Sequence, residues 1–96
     1  DNPLTHEVEY FQVILPAADN LLWLGSTTGL YLLDLKTAKV TVYSATSRQN
    51  SLSGNVINDL YLDENNLLWV ATSTGGINLI DLAAGTISII SDKQQL

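Results

Sequence analysis

Apolar and β-branched residues recur along the chain in eight short runs, separated by polar or glycine-containing turns. Alternation of apolar and polar positions is typical of strands, and no segment has a convincing helical period. The predicted strands span residues 8–15, 21–25, 30–35, 39–43, 56–62, 67–72, 77–82 and 86–90. Pro16, which has no backbone N–H, is expected to end the first strand. The pattern therefore predicts an all-β protein.

The second half of the chain repeats the first. NLLWLGSTTG at 20–29 has a near copy, NLLWVATSTG, at 66–75. The similarity extends over 20–44 and 66–91 if Gly76 is one extra residue in the second copy. Four strands joined by short turns, at a period of about 40–50 residues, predict β-propeller blades. The alternative is an eight-stranded β-sandwich with an accidental internal echo.

We assign residues 1–48 to one four-stranded antiparallel blade and residues 49–96 to a second. Two blades are fewer than the roughly four of the smallest closed propellers. We therefore expect these blades to be part of a larger propeller, or to be closed into a ring by homo-oligomerisation. The chain contains no methionine, which favours a segment processed or cut from a longer protein.

The amino-acid composition argues against several classes of binding partner. Ten acidic residues stand against four basic ones, giving a net charge of −6. Nucleic acids and anionic membrane surfaces both reward clustered Lys and Arg, so neither is expected as a partner. No apolar run approaches the roughly 18 residues that cross a bilayer, so no direct membrane contact is expected within this segment. The absence of cysteine excludes disulfides and cysteine-based metal sites.

Two tryptophans occupy the same position of the repeat. Trp23 and Trp69 each lie inside an apolar strand. We expect each ring to fill the wedge between neighbouring blades, with its indole N–H bonded to a carbonyl oxygen. Stacking against a ligand is the alternative role.

The turns also carry repeated residues. Gly29, Gly75 and Gly76 are expected to form tight turns, because glycine adopts positive φ without steric cost. Asp34 and Asp81 end strands and are expected to accept N–H bonds from the turns that follow.

Catalytic and metal chemistry find little support in the sequence. Residues 63–66 (Asp-Glu-Asn-Asn) lack the spacing of a calcium-binding loop and predict a solvated hairpin. His6 is the only histidine, and no Ser-His-Asp arrangement can be built from it. We therefore expect no enzyme activity, no metal and no cofactor.

Fold geometry suggests where a ligand would bind. In a propeller, the loop that leads into the innermost strand and the loop between the second and third strands share one face around the central channel. The candidate ligand-binding residues are Arg48, Asn50, Ser51, Asn55, Asn58, Ser73 and Thr74, and Tyr10 is a further channel-lining candidate. The alternative is that these side chains satisfy the backbone of the loops between blades. Specificity is expected where the copies differ, as at Tyr31 against Asn78.

The segments LLWLGSTTGLYLLD (21–34), SLSGN (51–55) and LLWVATSTGGINLID (67–81) resemble the two-component regulator propeller repeat. Three places depart from that pattern: Ala71 where glycine is usual, Ile90 where the first copy has Tyr43, and His6-Glu7. The resemblance implies a periplasmic sensor domain of a bacterial histidine kinase, hybrid two-component protein or diguanylate cyclase. Many such domains are similar to sensors of oligosaccharides.

Three functions compete at this point. The first is a sensor module that binds a small ligand, with a carbohydrate as the ligand that the resemblance suggests. The second is a non-catalytic scaffold that binds a protein partner. The third, a lyase or hydrolase propeller, requires a cluster of acidic, histidine or tyrosine residues on one face, which a single histidine does not supply.

Overall fold

A computed structural model describes residues 11–46 and 50–90, and within these stretches every regular element is a strand. The strands are β1 (Phe11–Ala17), β2 (Leu21–Ser26), β3 (Leu30–Asp34), β4 (Lys39–Tyr43), β5 (Ile57–Leu62), β6 (Leu67–Thr72), β7 (Ile77–Asp81) and β8 (Thr86–Ile90). They form two antiparallel sheets of four strands each, in the orders β1-β2-β3-β4 and β5-β6-β7-β8. The predicted all-β architecture of two four-stranded antiparallel sheets is confirmed. We call them blade 1 and blade 2.

One strand boundary differs from the prediction. Pro16 does not end β1, because the strand continues to Ala17 and Pro16 pairs with Leu22. β1 is the edge strand of its sheet and pairs only with β2. A residue without an N–H is tolerated at such an edge, where one side of the strand needs no ladder bond. Residues 8–10, where this strand was predicted to begin, lie outside the described residues.

The core lies between the two blades. Successive side chains of a strand point to opposite faces of the sheet, and one face of each blade is turned toward the other. The buried core residues are Trp23 and Leu30 from blade 1, Ile57, Leu60, Leu68, Val70 and Ile80 from blade 2, and Leu52 from the linker between them. Apolar burial of this kind, shared between repeats, supplies the main favourable free energy of folding.

The first strands of the two blades lie side by side. The Gln12 side chain donates a hydrogen bond from Nε2 to the Ile57 carbonyl oxygen at 2.8 Å. Gly25 allows this approach, because a Cβ at that position would stand 2.6 Å from Ile57 Cγ2. A methyl group there would therefore force the two blades apart.

The β3–β4 and β7–β8 turns are built alike. Oδ1 of Asp34 accepts the backbone N–H of the second and third residues after it, at 2.9 and 3.2 Å. Oδ1 of Asp81 accepts the corresponding pair at 3.1 Å each. The turns close through Ala38 and Gly85, which have φ of 62° and 74° and each donate an N–H to the aspartate carbonyl at 2.7 Å.

The β2–β3 and β6–β7 turns differ in length by one residue. The Ser26 N–H bonds to the Gly29 carbonyl, and the Thr72 N–H bonds to the Gly76 carbonyl, both at 3.0 Å. Gly29 therefore corresponds in space to Gly76, with φ of 146° and 81°, and not to Gly75 as the sequence alignment had it. The extra residue of the second copy lies inside the turn.

Gly75 is required for a different reason from the positive φ that was expected. It does not adopt a positive φ. Instead, a Cβ at Gly75 would collide with the backbone carbonyl of Ser53. The glycine thus lets the linker pass directly over the β6–β7 turn.

Candidate functional site

The linker that leads into β5 meets the β6–β7 turn at one edge of blade 2. The Ser73 N–H bonds to the Val56 carbonyl at 3.0 Å, and Ser73 Oγ donates to Asn58 Oδ1 at 3.0 Å. Ser53 Oγ donates to the Gly75 carbonyl. We call this edge the turn rim, and it comprises Ser53, Gly54, Asn58, Ser73, Thr74 and Gly75.

A buried amide holds the linker against the blade. Asn78 is fully buried; its Oδ1 accepts the Ser53 N–H at 2.8 Å and its Nδ2 donates to Ser53 Oγ at 2.6 Å. At the same position of blade 1, Tyr31 is also buried, and its hydroxyl lies 3.1 Å from Thr28 Oγ1. Neither side chain is presented to solvent, so this difference between the copies serves internal packing rather than the surface recognition that was expected.

Blade 1 adds exposed polar groups at the equivalent edge. Ser26 is fully buried and its Oγ bonds to the Gly29 carbonyl at 2.9 Å, while Thr28 is exposed beside it. Gln12, whose amide reaches the start of β5, is also exposed. The two blades therefore bring hydroxyl and amide groups to the same end of the molecule.

The predicted ligand-binding residues separate into two groups. Asn58, Ser73 and Thr74 lie together and exposed at the turn rim. Asn50 instead bonds to the β7–β8 turn, with Nδ2 donating to the Gly85 carbonyl at 2.9 Å and Oδ1 accepting the Ile87 N–H. That turn is at the opposite end of β7 from the rim.

The remaining candidates also serve the linker or fall outside the description. Ser51 Oγ donates to the Thr46 carbonyl at 3.2 Å, and Asn55 Oδ1 accepts the Ala45 N–H at 2.6 Å. Arg48 and Tyr10 lie outside the described residues. The alternative reading, in which polar linker residues satisfy loop backbone, thus describes the contacts of Asn50, Ser51 and Asn55.

A cleft between the blades was missed by sequence reasoning. It has a volume of about 400 Å³ and is lined by Ala17, Ala18, Asp19, Leu21, Trp23, Leu32, Tyr43, Leu62, Asn66 and Leu82. The Trp23 and Tyr43 ring centroids stand 5.7 Å apart at 42°, and burial raises the pKa of the Tyr43 hydroxyl. No local motif marks this cleft, because its lining comes from residues 17–82 across both blades.

A smaller cleft lies near the outer strands. Its volume is about 230 Å³, and Tyr43, Asn50, Ser51 and Ile87 are among its lining residues. This volume is below the range of about 300–1,000 Å³ that is usual for small-molecule sites.

The two tryptophans have different surroundings. Trp23 is 2% exposed and lies between the blades, whereas Trp69 is partly exposed on the face of blade 2 that is turned away from blade 1. The Trp69 indole N–H donates to Asp63 Oδ2 at 3.0 Å, a carboxylate rather than the expected carbonyl. That bond is the chief reason why the pKa of Asp63 lies below its usual value.

Asp63 also organises the β5–β6 turn. Its Oδ1 accepts the N–H groups of Asn65 and Leu67 at 2.8 and 3.1 Å. In the part of the chain that the structure describes, no group of three or more His, Cys, Asp or Glu side chains comes together as a metal site would require. None of the described residues forms a helix that is long and apolar enough to span a bilayer.

One segment of blade 2 matches a family model whose name describes a propeller, which is consistent with the four-stranded antiparallel sheets. Residues 51–74 match the family model described as two component regulator propeller. The match begins in the linker, runs through β5 and β6, and ends in the β6–β7 turn, so it covers both segments that form the turn rim. No curated protein matches the chain at a significant level. This segment of blade 2 is therefore similar to the two component regulator propeller repeat, the family that the sequence resembles.

Proposed function

We propose that this chain is a ligand-sensing propeller module of a bacterial two-component or diguanylate cyclase signalling protein, and that it works in the periplasm. The proposal rests on one observation: the linker into β5 and the β6–β7 turn converge at the turn rim, with Asn58, Ser73 and Thr74 exposed. Convergent polar groups supplied by loops on a rigid scaffold are typical of binding sites.

The chemistry of the rim favours an uncharged ligand rich in hydroxyl groups. Asn58, Ser73 and Thr74, with Thr28 and Gln12 nearby, offer neutral donors and acceptors. A phosphate or carboxylate ligand would instead be matched by Arg or Lys. An oligosaccharide, which the family resemblance also suggests, is therefore the ligand class that we propose.

The rim is suited to binding rather than to catalysis. The hydroxyl of Ser73 is hydrogen-bonded to the amide oxygen of Asn58. An amide cannot take up the proton of a nucleophilic serine, as the neighbouring base of a hydrolase does. We accordingly propose no enzymatic role.

The rim also offers a route for transmitting ligand binding. Ser53 joins the linker to both Asn78 and the β6–β7 turn, and Gln12 joins blade 1 to the start of β5. A ligand that contacts both edges would favour one arrangement of the two blades over others. Such a shift requires a difference in affinity between the arrangements.

A thermal-shift assay with a panel of neutral oligosaccharides tests the proposal. A ligand at ten times its dissociation constant stabilises the folded state by about 1.4 kcal/mol, which raises Tm by about 5–10 °C in a domain of this size. We expect Asn58→Ala and Ser73→Ala to remove the shift. Thr86→Ala, at an exposed position on the opposite end of β7 and β8, should keep it.

The outcome separates the candidate functions. A shift that survives both rim substitutions would place the ligand elsewhere, and no shift with any oligosaccharide would contradict the carbohydrate proposal. The scaffold alternative is favoured by exposed apolar side chains away from the rim, including Ile14, Val42, Tyr61 and Ile89. For a scaffold, substitutions at these side chains and not at the rim would abolish partner binding.

A further inference from the structure

The cleft of about 400 Å³ between the blades opens at the end of the molecule opposite the turn rim. Its exposed lining residues, Ala18, Asp19 and Asn66, belong to the β1–β2 and β5–β6 turns. The rim is built on the β6–β7 turn, at the other end of the same strands. The volume falls within the range of about 300–1,000 Å³ that is usual for small-molecule sites. The cleft can therefore hold a compact ligand that does not contact the rim.

The walls of the cleft are apolar and come from both blades. Leu21 and Leu32 belong to blade 1, Leu62 and Leu82 belong to blade 2, and each of the four is only partly buried. Trp23, which is 2% exposed, lies at the base. An apolar group placed between the leucines removes its own surface and theirs from water, which is favourable. The walls thus select a ligand with an apolar body.

The mouth of the cleft carries a negative charge. Of the described residues that line it, Asp19 alone has a formal charge. Its carboxylate makes no hydrogen bond or ion pair with another described residue. Lys39 stands on the same face of blade 1 as Leu21 but does not line the cleft. A cationic group at the mouth therefore meets an available carboxylate, whereas an anionic group is repelled.

The β1–β2 turn fixes where this carboxylate stands. Asp19 and Asn20 have φ of 61° and 64°, and the Leu21 N–H bonds to the Ala18 carbonyl oxygen at 3.3 Å. Positive φ at both central residues of a two-residue hairpin is the pattern of a type I′ turn, which Asp and Asn tolerate. The second copy of the repeat has Asn65 at the position of Asp19. The charge therefore belongs to this turn and not to the repeat as such.

We propose that the cleft binds a small organic cation, with its apolar body between the leucines and its protonated amine beside Asp19. The exposed amide oxygen of Asn66, across the mouth, supplies a second acceptor for the amine. The net charge of −6 also favours the approach of a cation over that of an anion. The inference adds a second binding site and does not rest on the function proposed for the turn rim.

Three probes of similar size test the ligand class: phenethylamine, which is protonated at neutral pH, phenethyl alcohol, which is uncharged, and phenylacetate, which is an anion. Titration of the whole chain followed by NMR gives each dissociation constant. We expect phenethylamine to bind about fivefold more tightly than the alcohol, as an exposed ion pair allows, and phenylacetate to bind most weakly. The indole N–H signal of Trp23 should shift, and that of Trp69, on the outward face of blade 2, should not.

Asp19→Asn tests the role of the carboxylate. It removes the charge and keeps the turn, because asparagine also suits a type I′ turn. We expect the affinity for phenethylamine to fall about fivefold, to that of the alcohol, whose binding should not change. Glu64→Gln is the matched control, since Glu64 is an exposed carboxylate of the β5–β6 turn that does not line the cleft. It should leave the binding of both probes unchanged.

Ala17→Leu tests the location of the site. Ala17 lines the cleft and pairs with Leu21, so a larger side chain occupies the space of the phenyl ring. We expect the Trp23 shift to be lost with both phenethylamine and phenethyl alcohol. Ala84→Leu adds the same bulk at an exposed position of the β7–β8 turn outside the cleft, and it should retain the shift.

Several results would overturn the proposal. One is equal binding of phenethylamine and phenethyl alcohol, and another is an amine preference that survives Asp19→Asn. Unchanged probe binding by a folded Ala17→Leu variant would place the site elsewhere. The absence of any Trp23 shift at millimolar phenethylamine would show that the cleft does not bind such a cation.

Discussion

The environments of Trp23 and Trp69 differ, although the residues around them in sequence are nearly the same. Both follow Asn-Leu-Leu and occupy the middle of the second strand of a blade. Trp23 is 2% exposed against the neighbouring blade and lies beside Tyr43. Trp69 is partly exposed, and its N–H is held by Asp63. Local sequence therefore selects the strand and the face, while the next blade along the chain decides burial.

The hydrogen bond between Trp69 and Asp63 is a second way in which the two tryptophans differ. Asp63 follows β5 and bonds to Leu67, the first residue of β6. In blade 1 the residue opposite the first residue of β2 is Ala17, which pairs with Leu21. Trp69 thus has a local anchor at a position where the first copy has alanine, whose side chain has no acceptor.

The largest change in the free energy of unfolding is expected when either tryptophan is replaced by alanine. We expect Trp23→Ala to lower the free energy of unfolding by about 3–5 kcal/mol, because it opens a cavity between the blades. Trp69→Ala should cost about 1–2 kcal/mol, since part of that ring already contacts water. Urea denaturation at low protein concentration measures both values. Equal losses would show that the two faces are equally packed.

The second test concerns the residue two places after each tryptophan. Gly25→Ala places a methyl against Ile57 and should destabilise the chain by about 1–3 kcal/mol. Ala71→Gly, its register counterpart in blade 2, should cost no more than about 1 kcal/mol, the usual entropic effect of glycine in a strand. If Gly25→Ala proved neutral, the close contact between β2 and β5 would not limit the packing of the blades.

The third test uses a feature that both blades share. Asp34→Ala and Asp81→Ala each remove the side-chain oxygen that accepts two N–H groups in a turn of the same design. We expect each to cost about 1 kcal/mol, with similar values, because these contacts are local and exposed. A large difference between them in the same denaturation assay would mean that the neighbouring blade also affects the turns.

The smallest effect on stability is expected from a change of pH, through the ionisation of Asp63. The pKa of Asp63 is lowered in the folded state, chiefly by the Trp69 N–H, so the carboxylate stabilises the fold at neutral pH. That contribution is present above the ordinary carboxyl pKa of about 4 and is lost as pH falls through the folded-state pKa. The Tm difference between the unmodified chain and Asp63→Asn should therefore shrink between about pH 6 and pH 2. A difference independent of pH would exclude this carboxylate as its source.

Much of the fold could be predicted because the signals are local. Alternating apolar residues gave the strands within a few residues of where they lie, and the Asp34 and Asp81 turns have the local contacts that aspartate at such positions favours. Pro16 was misassigned because the edge position of β1, which tolerates a missing N–H, is a property of the sheet. Gly75 was misassigned because the Ser53 carbonyl that crowds it comes from the linker, 22 residues earlier in the chain.

The candidate site was predicted only in part. The meeting of Asn58, Ser73 and Thr74 followed from the order of strands in a blade. Asn50 was placed with them because it lies in the same linker, yet its amide binds the β7–β8 turn at the other end of the blade. Which end of blade 2 a linker residue reaches depends on the course of the linker backbone across the sheet. That course cannot be read from the residue types in the linker.

By itself, the sequence determined the repeat, the strands, the turns and the face on which each tryptophan lies, because short-range backbone and side-chain preferences fix these features. The tertiary structure decided which tryptophan is buried, where Gly25 must lack a side chain and which linker residues reach the rim. Each of these depends on contact between residues distant in the chain. The same aromatic ring is a core residue in blade 1 and a surface residue in blade 2, because apolar burial requires a partner surface.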